Sequence, residues 1–370
     1  MSDVLLVLNA GSSSLKFQVF ELDTLDVPAR GKVTGIGTSP LLRAAIVDGD
    51  VRIDEPLVDD GHEPALAAVL DLVARFGRDW RIAATVHRVV HGGERYVDPV
   101  IVTPQILRDL EALAPLAPLH QPFNLAGLAA ADRLAGDAPD IACFDTAFHA
   151  GHAPLQRVFA LDRGLRERGL RRYGFHGLSF EWIARELAGR HPRLAQGRVV
   201  LAHLGNGSSL CALREGRSID TTMGMTALDG LPMGTRCGAI DPGVVTYMVR
   251  ALGMEIHEVE RRLYEESGLK GLSGDTNDVA ALLASSDPDA AFALAYYAFK
   301  AAQHVAAMAV SLGGLDGIVF TGGIGEHAAP VREAILRQLA FLGPFDVLVM
   351  PANEERMMAI HARALLASLA

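Results

Sequence analysis

The sequence predicts an α/β protein of two domains that is built from one duplicated domain. The chain has 370 residues, and a globular domain usually has about 100–200. Short apolar strands alternate with amphipathic helices, which is typical of partly parallel sheets. An apolar strand, a turn rich in Asn, Gly and Ser, and an alternating return strand occur near residue 4 and again near residue 199. Two such halves would face one another across a cleft.

Composition and charge exclude several classes of protein. Half of the residues are hydrophobic and 21% are charged, so the chain can bury a large core and is not a disordered sequence. Lys and Arg total 34 against 44 Asp and Glu, which gives a net charge of −10. We therefore expect no nucleic-acid partner and no anionic membrane surface, although an acidic chain can still hold a local cationic pocket.

The segments that direct a chain to a membrane or out of the cell are not evident. No apolar run reaches the roughly 18–20 residues that span a bilayer, and the first residues lack a basic segment and a cleavage site. The three cysteines have no C-x-x-C spacing, which predicts buried thiols in a reduced compartment rather than disulfides or zinc ligands. These are Cys143, Cys211 and Cys237. We expect a cytoplasmic protein.

The first strand–turn–strand pattern predicts a phosphate-binding turn. Residues 4–8 are apolar, and residues 15–20 alternate after the turn. Successive backbone N–H groups in a tight turn bind anions, and hydroxyl and ammonium groups add donors. The polar side chains available there are Asn9, Ser12, Ser13 and Lys16. One copy of this pattern is equally compatible with an ordinary hairpin and a solvated serine loop, whereas the second copy favours binding.

Capping residues and periodicity predict the remaining elements. Thr103 followed by proline is a typical helix start. Helices are predicted at 103–113, 124–134, 179–190, 243–252, 256–266, 275–284, 289–312 and 329–342, and a last helix follows residue 351. Strands are predicted at 85–90, 141–144, 199–203, 317–321 and 345–350. A domain border is predicted within 148–154.

A glycine turn follows the strand at 317–321. Gly323-x-Gly325-x-x-Ala328 matches the dinucleotide fingerprint. However, the next strand ends in Met350 rather than in an acidic residue, and too little chain remains for the second half of a dinucleotide domain. We interpret the segment as a turn that lets a nucleotide lie against bare backbone.

Several polar residues follow apolar strands, where the sites of α/β proteins lie. Arg88 can bind a carboxylate through two hydrogen bonds, or it can form a surface salt bridge. His87 and His91 would form a metal pair only on a helix, and the β-branched residues around them favour a strand. The remaining candidates are Asp145, His176, Arg236 and Glu354. Taken singly, such residues are more often structural than catalytic.

Together these motifs resemble the acetate kinase family, which belongs to the acetate and sugar kinase, Hsp70 and actin superfamily. The matching stretches, in family order, are LNAGSSSLKF from residue 8, HRVVHGGE from 87, APLH from 117, FDTAFH from 144, RYGFHG from 172, HLGNGSS from 203, GLPMGTR from 230, FTGGIGE from 320 and NEE from 353. The resemblance covers nearly the whole chain. It implies a duplicated actin-like (ribonuclease H-like) fold with a cleft between two lobes, and a homodimer. The lobes are expected at 1–148, completed by helix 353–370, and at 149–352, which would bind the nucleotide.

The resemblance also implies a reaction. Phosphoryl transfer from ATP to acetate would be direct, in line and reversible, it would depend on Mg²⁺ (with Mn²⁺ as a substitute), and it would give acetyl phosphate and ADP. A carboxylate is already a nucleophile, so no general base is required. The difficulty is the repulsion between acetate and the γ-phosphate, which a cation and hydrogen-bond donors would offset.

Site roles follow from the resemblance residue by residue. The catalytic set is Asp145, His176 and Arg236. Arg88 would bind the acetate carboxylate, with Val90 and Leu119 against its methyl group. Asn9 and Glu354 would hold Mg²⁺. The nucleotide set is Lys16, His203, Leu204, Gly205, Asn206, Gly207, Asp275, Thr276, Asn277, Gly323, Ile324, Gly325, Glu326 and His327.

The chain departs from the family pattern at several positions. Asn277 replaces the arginine of the nucleoside motif, His327 stands where asparagine is usual, and Ala239 replaces an acidic residue. Ala227 replaces a proline near the acyl pocket, which could leave space for one more methylene. Two alternatives therefore stay open: a kinase of propionate or another short-chain acid on the same fold, and a non-catalytic nucleotide-binding module.

Overall fold

Two compact units make up the chain. The computed structural model describes residues 2–11, 13–47, 51–118 and 120–369. Unit 1 comprises Met1–Ala147 and Asn353–Ala370, and unit 2 comprises Phe148–Ala352. The border predicted from the sequence lies one residue further along the chain.

The strands form one sheet in each unit. Unit 1 contains β1 (Ser2–Ala10), β2 (Ser14–Glu21), β3 (Ala29–Thr34), β4 (Leu41–Ile46), β5 (Val51–Pro56), β6 (Trp80–Val89), β7 (Val100–Ile101) and β8 (Asp140–Phe144). Unit 2 contains β9 (Arg198–Leu204), β10 (Ser208–Arg214), β11 (Arg217–Thr221), β12 (Gly317–Thr321) and β13 (Asp346–Val349). The strand orders are β5-β4-β3-β2-β1-β6-β8-β7 and β11-β10-β9-β12-β13.

The two sheets share a five-stranded pattern. In unit 1, β3, β2 and β1 are antiparallel neighbours, and β1, β6 and β8 are parallel. In unit 2, β11, β10 and β9 are antiparallel neighbours, and β9, β12 and β13 are parallel. Unit 1 adds β4 and β5 at one edge and β7 at the other. This repeated topology confirms the duplication predicted from the two strand–turn–strand patterns.

Helices cover both sheets. They are α1 (His62–Phe76), α2 (Pro104–Glu111), α3 (Gln121–Leu134), α4 (Pro154–Arg157), α5 (Arg163–Glu167), α6 (Gly177–Arg190), α7 (Pro192–Ala195), α8 (Pro242–Arg250), α9 (Ile256–Glu265), α10 (Gly268–Ser273), α11 (Val279–Ala284), α12 (Pro288–Leu312), α13 (Gly322–His327), α14 (Ala329–Gln338) and α15 (Glu354–Leu369). In the part of the chain that the structure describes, none of them is both long and apolar enough to cross a membrane.

The core of unit 1 lies on both faces of its sheet. Residues 4–10 of β1 are all buried, as expected for a central strand that is covered on both sides. Leu6 and Leu8 pack with α1 and with the end of α3. Leu5 and Val7 are also fully buried and point to the opposite face because side chains alternate along a strand. There α15 packs against β1, β2, β6 and β8.

The core of unit 2 is layered in the same way. Val200, Ala202 and Leu204 of β9 pack with the long helix α12, whose Tyr297 is fully buried. The alternate residues of β9, including Leu201, pack with α6 and α7 on the other face. Both faces of β9 are therefore packed, and this packing positions the turn that follows it within its unit.

Local chemistry explains where the elements differ from the expectations. Thr103 caps α2 by accepting a hydrogen bond from Ile106 N, as predicted. The helix expected at 275–284 begins only at Val279, because Asp278 accepts from Ala280 N and acts as its cap. The glycine turn at 322–327 is itself a short helix, α13, which follows β12 directly. The helix expected at 329–342 ends at Gln338 and gives way to a 3₁₀ turn.

Candidate active site

Four polar residues of unit 1 meet at the carboxyl ends of its parallel strands. Asn9 lies near the end of β1, Arg88 near the end of β6, and Asp145 directly after β8. Glu354 is the first residue of α15, which packs against the same strands. Because neighbouring parallel strands end at one edge of a sheet, residues far apart in the sequence converge here.

A buried ion pair holds the Arg88 guanidinium. Its Nε and Nη2 donate to the same oxygen of Asp145, over 3.0 and 2.6 Å, and the Asp145 side chain is only 1% exposed. Its Nη1 donates to Asn9 Oδ1 over 3.3 Å and lies 3.9 Å from Glu354 Oε2. Asp145 therefore fixes one edge of the guanidinium and leaves Nη1 toward Asn9 and Glu354.

Negative charge exceeds positive charge around Arg88. Burial alone would lower the pKa of Arg88, but the charges of Asp145, Glu354 and Glu355 raise it on balance, so the side chain stays protonated. The amide of Asn9 donates to Glu354 over 3.5 Å and to Glu355 over 3.3 Å. Three carboxylates thus surround one guanidinium, and a further cation would be stabilised at this position.

The oxygen donors of this cluster suit Mg²⁺. Carboxylate and amide oxygens are its preferred protein ligands, and one or two carboxylates are enough when water and phosphate complete the shell. Asn9 and Glu354 lie within 3.5 Å of one another, and Glu355 is a third oxygen donor that the sequence did not single out. Within the described parts of the chain, no group of three or more His, Cys, Asp or Glu side chains is arranged to hold a metal by itself.

Two buried amides, which the sequence analysis missed, hold the backbone beside Arg88. Asn124 accepts from Val90 N over 3.0 Å and donates to Ala10 O over 2.7 Å, so it ties the end of β6 to the end of β1. Gln121 accepts from His91 N and donates to His91 O. A Gln and an Asn three positions apart on a buried helix face were the available signal. Val90 itself is buried, and Leu119 lies outside the described residues.

The first Gly/Ser turn has a tight geometry and an aromatic support. Gly11 N donates to Ser14 O over 2.8 Å, and Gly11 O bonds to Nε2 of His62, whose ring stacks on Phe123. Lys16 is the cross-strand neighbour of Asn9 and is exposed. Ser12, another candidate in this turn, lies outside the described residues. His62 is a further residue that the sequence analysis missed.

In unit 2, His176 and His203 form a stacked pair. Their rings lie 4.3 Å apart at 17°. The pair is oriented by two serines, because His176 Nδ1 bonds to Ser209 Oγ and His203 Nδ1 bonds to Ser179 Oγ, both over 2.8 Å. His176 itself has a φ of 58°, which is uncommon for a residue with a side chain. The backbone turns sharply here to begin α6.

Gly207 brings His176 and Arg236 together. A Cβ at Gly207 would lie 3.2 Å from His176 Nε2 and 3.9 Å from Arg236 Nη1, so both nitrogens face the backbone of the second Gly/Ser turn. Arg236 is buried, and its Nη1 donates to Ala227 O over 3.0 Å. Three residues that the resemblance assigned to phosphoryl and nucleotide binding are therefore neighbours.

The second Gly/Ser turn and the glycine helix α13 are adjacent. A Cβ at Gly205 would lie 3.9 Å from Gly323 N, and one at Gly322 would lie 3.2 Å from His203 Nε2. Glu326 accepts from Gly322 N and from Ala352 N, both over 3.0 Å. Its carboxylate is thus occupied by backbone donors and anchors α13.

The remaining nucleotide candidates divide into surface and core positions. Asn277 donates to Asn206 Oδ1 over 2.7 Å, which joins the loop at 275–277 to the second turn. Gly323, His327 and Asp275 are exposed. The side chains of Leu204 and Ile324 are buried in the core, so only their backbone groups are available to a ligand.

A buried network beneath His176 was not predicted. His149 Nε2 donates to Phe175 O over 3.0 Å, so its Nδ1 accepts from the Ser218 hydroxyl at 2.8 Å. His152 Nε2 also lies 2.7 Å from this hydroxyl. Burial lowers the pKa of His149 to about 3 and that of His152 to about 4. Both rings are therefore neutral at pH 7; His149 holds the carbonyl that precedes His176, and His152 bonds to the serine that orients His149.

The repeated topology and the two glycine- and serine-containing turns define a protein of the actin-like ATPase fold. Comparison with known proteins narrows this class. The model of the acetokinase family matches residues 4–360. The acetate kinase of Rhodopseudomonas palustris is 48% identical over 351 residues, which cover 93% of this chain and 88% of that protein. The chain belongs to the acetokinase family, as the resemblance predicted.

Solved structures agree with this assignment. The crystal structure of a propionate kinase from Francisella tularensis superposes with a TM-score of 0.91 at 34% identity, covering 98% of this chain and 99% of that one. The crystal structure of Porphyromonas gingivalis acetate kinase gives a TM-score of 0.86 at 30% identity, covering 98% and 100%.

The neutral histidines predict an acid-sensitive unit 2. An unfolded histidine titrates near pH 6.5, whereas His149 and His152 take up protons in the folded state only near pH 3–4. Below pH 6.5 the unfolded chain binds more protons than the folded chain. The free energy of unfolding therefore decreases as the pH is lowered, by up to about 1.4 kcal/mol per pH unit for each histidine. In a Trp80→Phe background, Trp182 fluorescence during urea unfolding at pH 7.0, 6.0 and 5.0 measures this loss in unit 2.

Two variants separate the contribution of His149 and His152 to this pH dependence from that of an exposed histidine. His149→Gln/His152→Gln lowers stability at pH 7 and flattens the dependence between pH 6.5 and 5. His191→Gln, a change of an exposed histidine between α6 and α7, keeps the slope of the parent protein. An unchanged slope in the double variant would contradict the assignment.

Proposed function

We propose that the protein is an acetate kinase, which transfers a phosphoryl group from ATP to acetate and forms acetyl phosphate and ADP reversibly. One observation carries the proposal: in a member of the acetokinase family, a protonated guanidinium is held by a buried carboxylate beside Asn9 and Glu354. That arrangement suits binding of a small carboxylate next to a phosphate and its cation.

Arg88 binds the acceptor in this proposal. Asp145 holds the Nε and Nη2 edge, so the guanidinium plane is fixed before acetate arrives and little side-chain entropy is lost on binding. Val90, buried next to it, and Leu119 would contact the methyl group. Acetate needs no deprotonation, so Asp145 acts by orienting Arg88 and not as a general base.

In this proposal unit 2 binds ATP, the phosphoryl donor. Backbone N–H groups of the second Gly/Ser turn and of α13 would bind phosphate oxygens, and the loop at 275–277 would contact the nucleoside. His176 and Arg236, which both face Gly207, would donate hydrogen bonds to the transferring phosphoryl group as its charge spreads over three oxygens. Lys16 of unit 1 would add a positive charge near the phosphates.

Asn9 and Glu354 would hold the Mg²⁺ ion, with Glu355 as an additional oxygen donor. When bound, the ion neutralises charge on the phosphate oxygens. The excess of carboxylates around Arg88 supports this role, because without a cation it would repel acetate. We propose the cytoplasm as the compartment, since three cysteines outside any C-x-x-C motif favour a reduced environment.

Propionate is the second candidate acceptor. The solved structure with the TM-score of 0.91 is that of a propionate kinase, and Ala227 is a small residue whose carbonyl binds Arg236. A pocket distinguishes acids that differ by one methylene by only about 1–3 kcal/mol, or roughly 10–200-fold. Acetate and propionate are therefore both expected to react, at different rates.

The first test measures acyl phosphate as its hydroxamate, with ATP, Mg²⁺ and each of acetate, propionate and butyrate. We expect the highest kcat/KM with acetate and a loss of roughly tenfold or more for propionate. A higher kcat/KM for propionate would establish the second candidate. Binding of ATP without any acyl phosphate would leave only the non-catalytic nucleotide-binding module.

Substitutions of Arg236 and Arg88 are predicted to change different kinetic constants. Arg236→Ala should lower kcat by about 10²–10³, the usual cost of one transition-state donor, with little change in the acetate KM. Arg88→Lys should raise the acetate KM as well, because a lysine keeps the charge but not the two-pronged geometry. Lysine is used at position 88 because alanine would leave Asp145 buried without its partner, at a cost of about 3–5 kcal/mol.

Exposed arginines serve as controls for these kinetics. Arg95→Ala in unit 1 and Arg193→Ala in unit 2 remove cations whose side chains are 71% and 89% exposed, and both should keep the parent kcat and KM. Thermal unfolding of every variant separates kinetic effects from loss of fold. Near-normal kinetics in Arg236→Ala or Arg88→Lys would contradict the role assigned to that residue.

We also propose a homodimer through α8 and the start of α9. Helix α8 buries none of its residues within the chain, and Tyr247, Leu252 and Ile256 are 59–63% exposed. Exposed apolar side chains grouped on one surface are typical of protein interfaces. Tyr247→Glu should shift the mass in light scattering from twice 39.4 kDa toward the monomer, whereas Val310→Glu on α12 should not. A monomeric parent protein would exclude this interface.

A further inference from the structure

One face of the unit-1 sheet carries a cluster of positively charged side chains. Only one of them, Lys16, has a role in the proposed kinase site. The cluster lines an open groove of about 650 Å³ across β2, β3, β4 and β5. We call it the basic groove. Its charged residues are Lys16, Arg30, Lys32, Arg43, Arg52, Asp54 and Glu355. Five cations against two carboxylates give a local positive charge in a chain whose net charge is −10.

Alternation along the strands produces this face. Phe17, Val33, Leu42 and Ile53 point inward and pack in the core with α1. The residues between them point outward, and on these four strands the outward positions 16, 30, 32, 43 and 52 are all cationic and exposed. The other outward positions that line the groove hold Gln18, Ala45 and Asp54. Phe17 and Ile53 also line it but are only 1% and 7% exposed, so they offer little apolar surface to a protein partner.

The strand register places like charges side by side. Lys16 is opposite Lys32, and Lys32 is opposite Arg43. In the next row, Arg30 and Arg52 flank Ala45. Like charges directly opposite one another destabilise a sheet, so this arrangement has a cost that a bound anion would offset.

Few of these charges are neutralised within the protein. Arg43 forms an ion pair with Asp54 over 3.2 Å, and Glu355 accepts a hydrogen bond from Asn9. Lys16, Arg30, Lys32 and Arg52 form no ion pair with any residue in the ranges that the structure describes. Within the described residues, four cations from three strands therefore face one groove without an ion-pair partner.

We propose that the basic groove is a binding site for a small anion that carries several phosphates. The row from Lys16 through Lys32 to Arg43 spans two strand spacings, about 10 Å. A single phosphate reaches only neighbouring strands, whereas a chain of phosphates can contact the whole row and the second row beside it. Flexible exposed lysines and arginines bind phosphate oxygens readily. Of the charged residues that line the groove, only Lys16 and Glu355 also have a role in the proposed kinase site.

Calorimetric titration with inorganic tripolyphosphate tests the proposal at low salt. The groove variant is Arg30→Gln/Lys32→Gln/Arg52→Gln, which removes three charges, keeps polar side chains and leaves Lys16 in place. The control variant, Arg78→Gln/Arg108→Gln/Arg133→Gln, removes the same charge from exposed positions of unit 1 outside the groove. Hydroxamate assays with acetate run in parallel, because tripolyphosphate can also enter the nucleotide site.

We expect the groove variant to bind tripolyphosphate about 10- to 100-fold more weakly at the basic groove, since three exposed ionic contacts are lost. Any binding at the nucleotide site should be unchanged. The control variant should bind as the parent does, and raising the salt should weaken the parent's binding. Both variants should keep the acetate kinetics of the parent, and circular dichroism should show that both remain folded.

Several results would overturn the proposal. Equal binding of tripolyphosphate to the parent protein and to the groove variant would do so. Tighter binding of single-stranded DNA than of tripolyphosphate, lost in the groove variant, would replace the small anion by a nucleic acid. Absence of acyl phosphate formation in the parent would refute the proposed kinase activity but not the groove, because the calorimetric comparison does not depend on turnover.

Discussion

The buried pair of Arg88 and Asp145 is the interaction on which the proposed acceptor site depends. A guanidinium in a mostly buried position requires a partner, and Asp145 supplies it at the end of the neighbouring strand. The pair in turn fixes Asn9, and Asn9 binds the first two residues of α15. Removal of either charge would leave the other buried, so the two residues stabilise this part of unit 1 only as a pair.

Unit 2 reaches a similar rigidity through hydrogen bonds and ring stacking. His176 is held from three sides: Ser209 bonds to its ring, His203 stacks on it, and His149 binds the carbonyl of the residue before it. Burial keeps His149 neutral at pH 7, so this support adds no charge beneath His176. The strained backbone at His176, with a φ of 58°, is stabilised by these contacts, as is common at functional sites.

Local sequence patterns predicted most helices and strands and the charged candidate residues, whereas hydrogen bonds between residues far apart in the sequence were not predictable. The duplicated turns, the Thr103 cap and the strand-end positions of Arg88 and Asp145 are readable because each depends on a few neighbouring residues. The amide of Asn124 bonds to a carbonyl 114 positions away, and no local pattern marks such a bond. Strands β3 to β5 were missed because their cations interrupt the apolar signal. Leu204 and Ile324, chosen by resemblance, have side chains that belong to the core.

The return of the chain into unit 1 has a consequence for how the protein matures. Glu354 and Glu355 lie after all of unit 2 in the sequence, yet they complete a cluster whose other members, Asn9 and Arg88, are translated early. A growing polypeptide on the ribosome can fold the strands of unit 1, but it lacks these two carboxylates until the segment that follows unit 2 emerges. Each newly made molecule therefore completes this cluster only after unit 2 has been synthesised, and a product terminated within unit 2 never does.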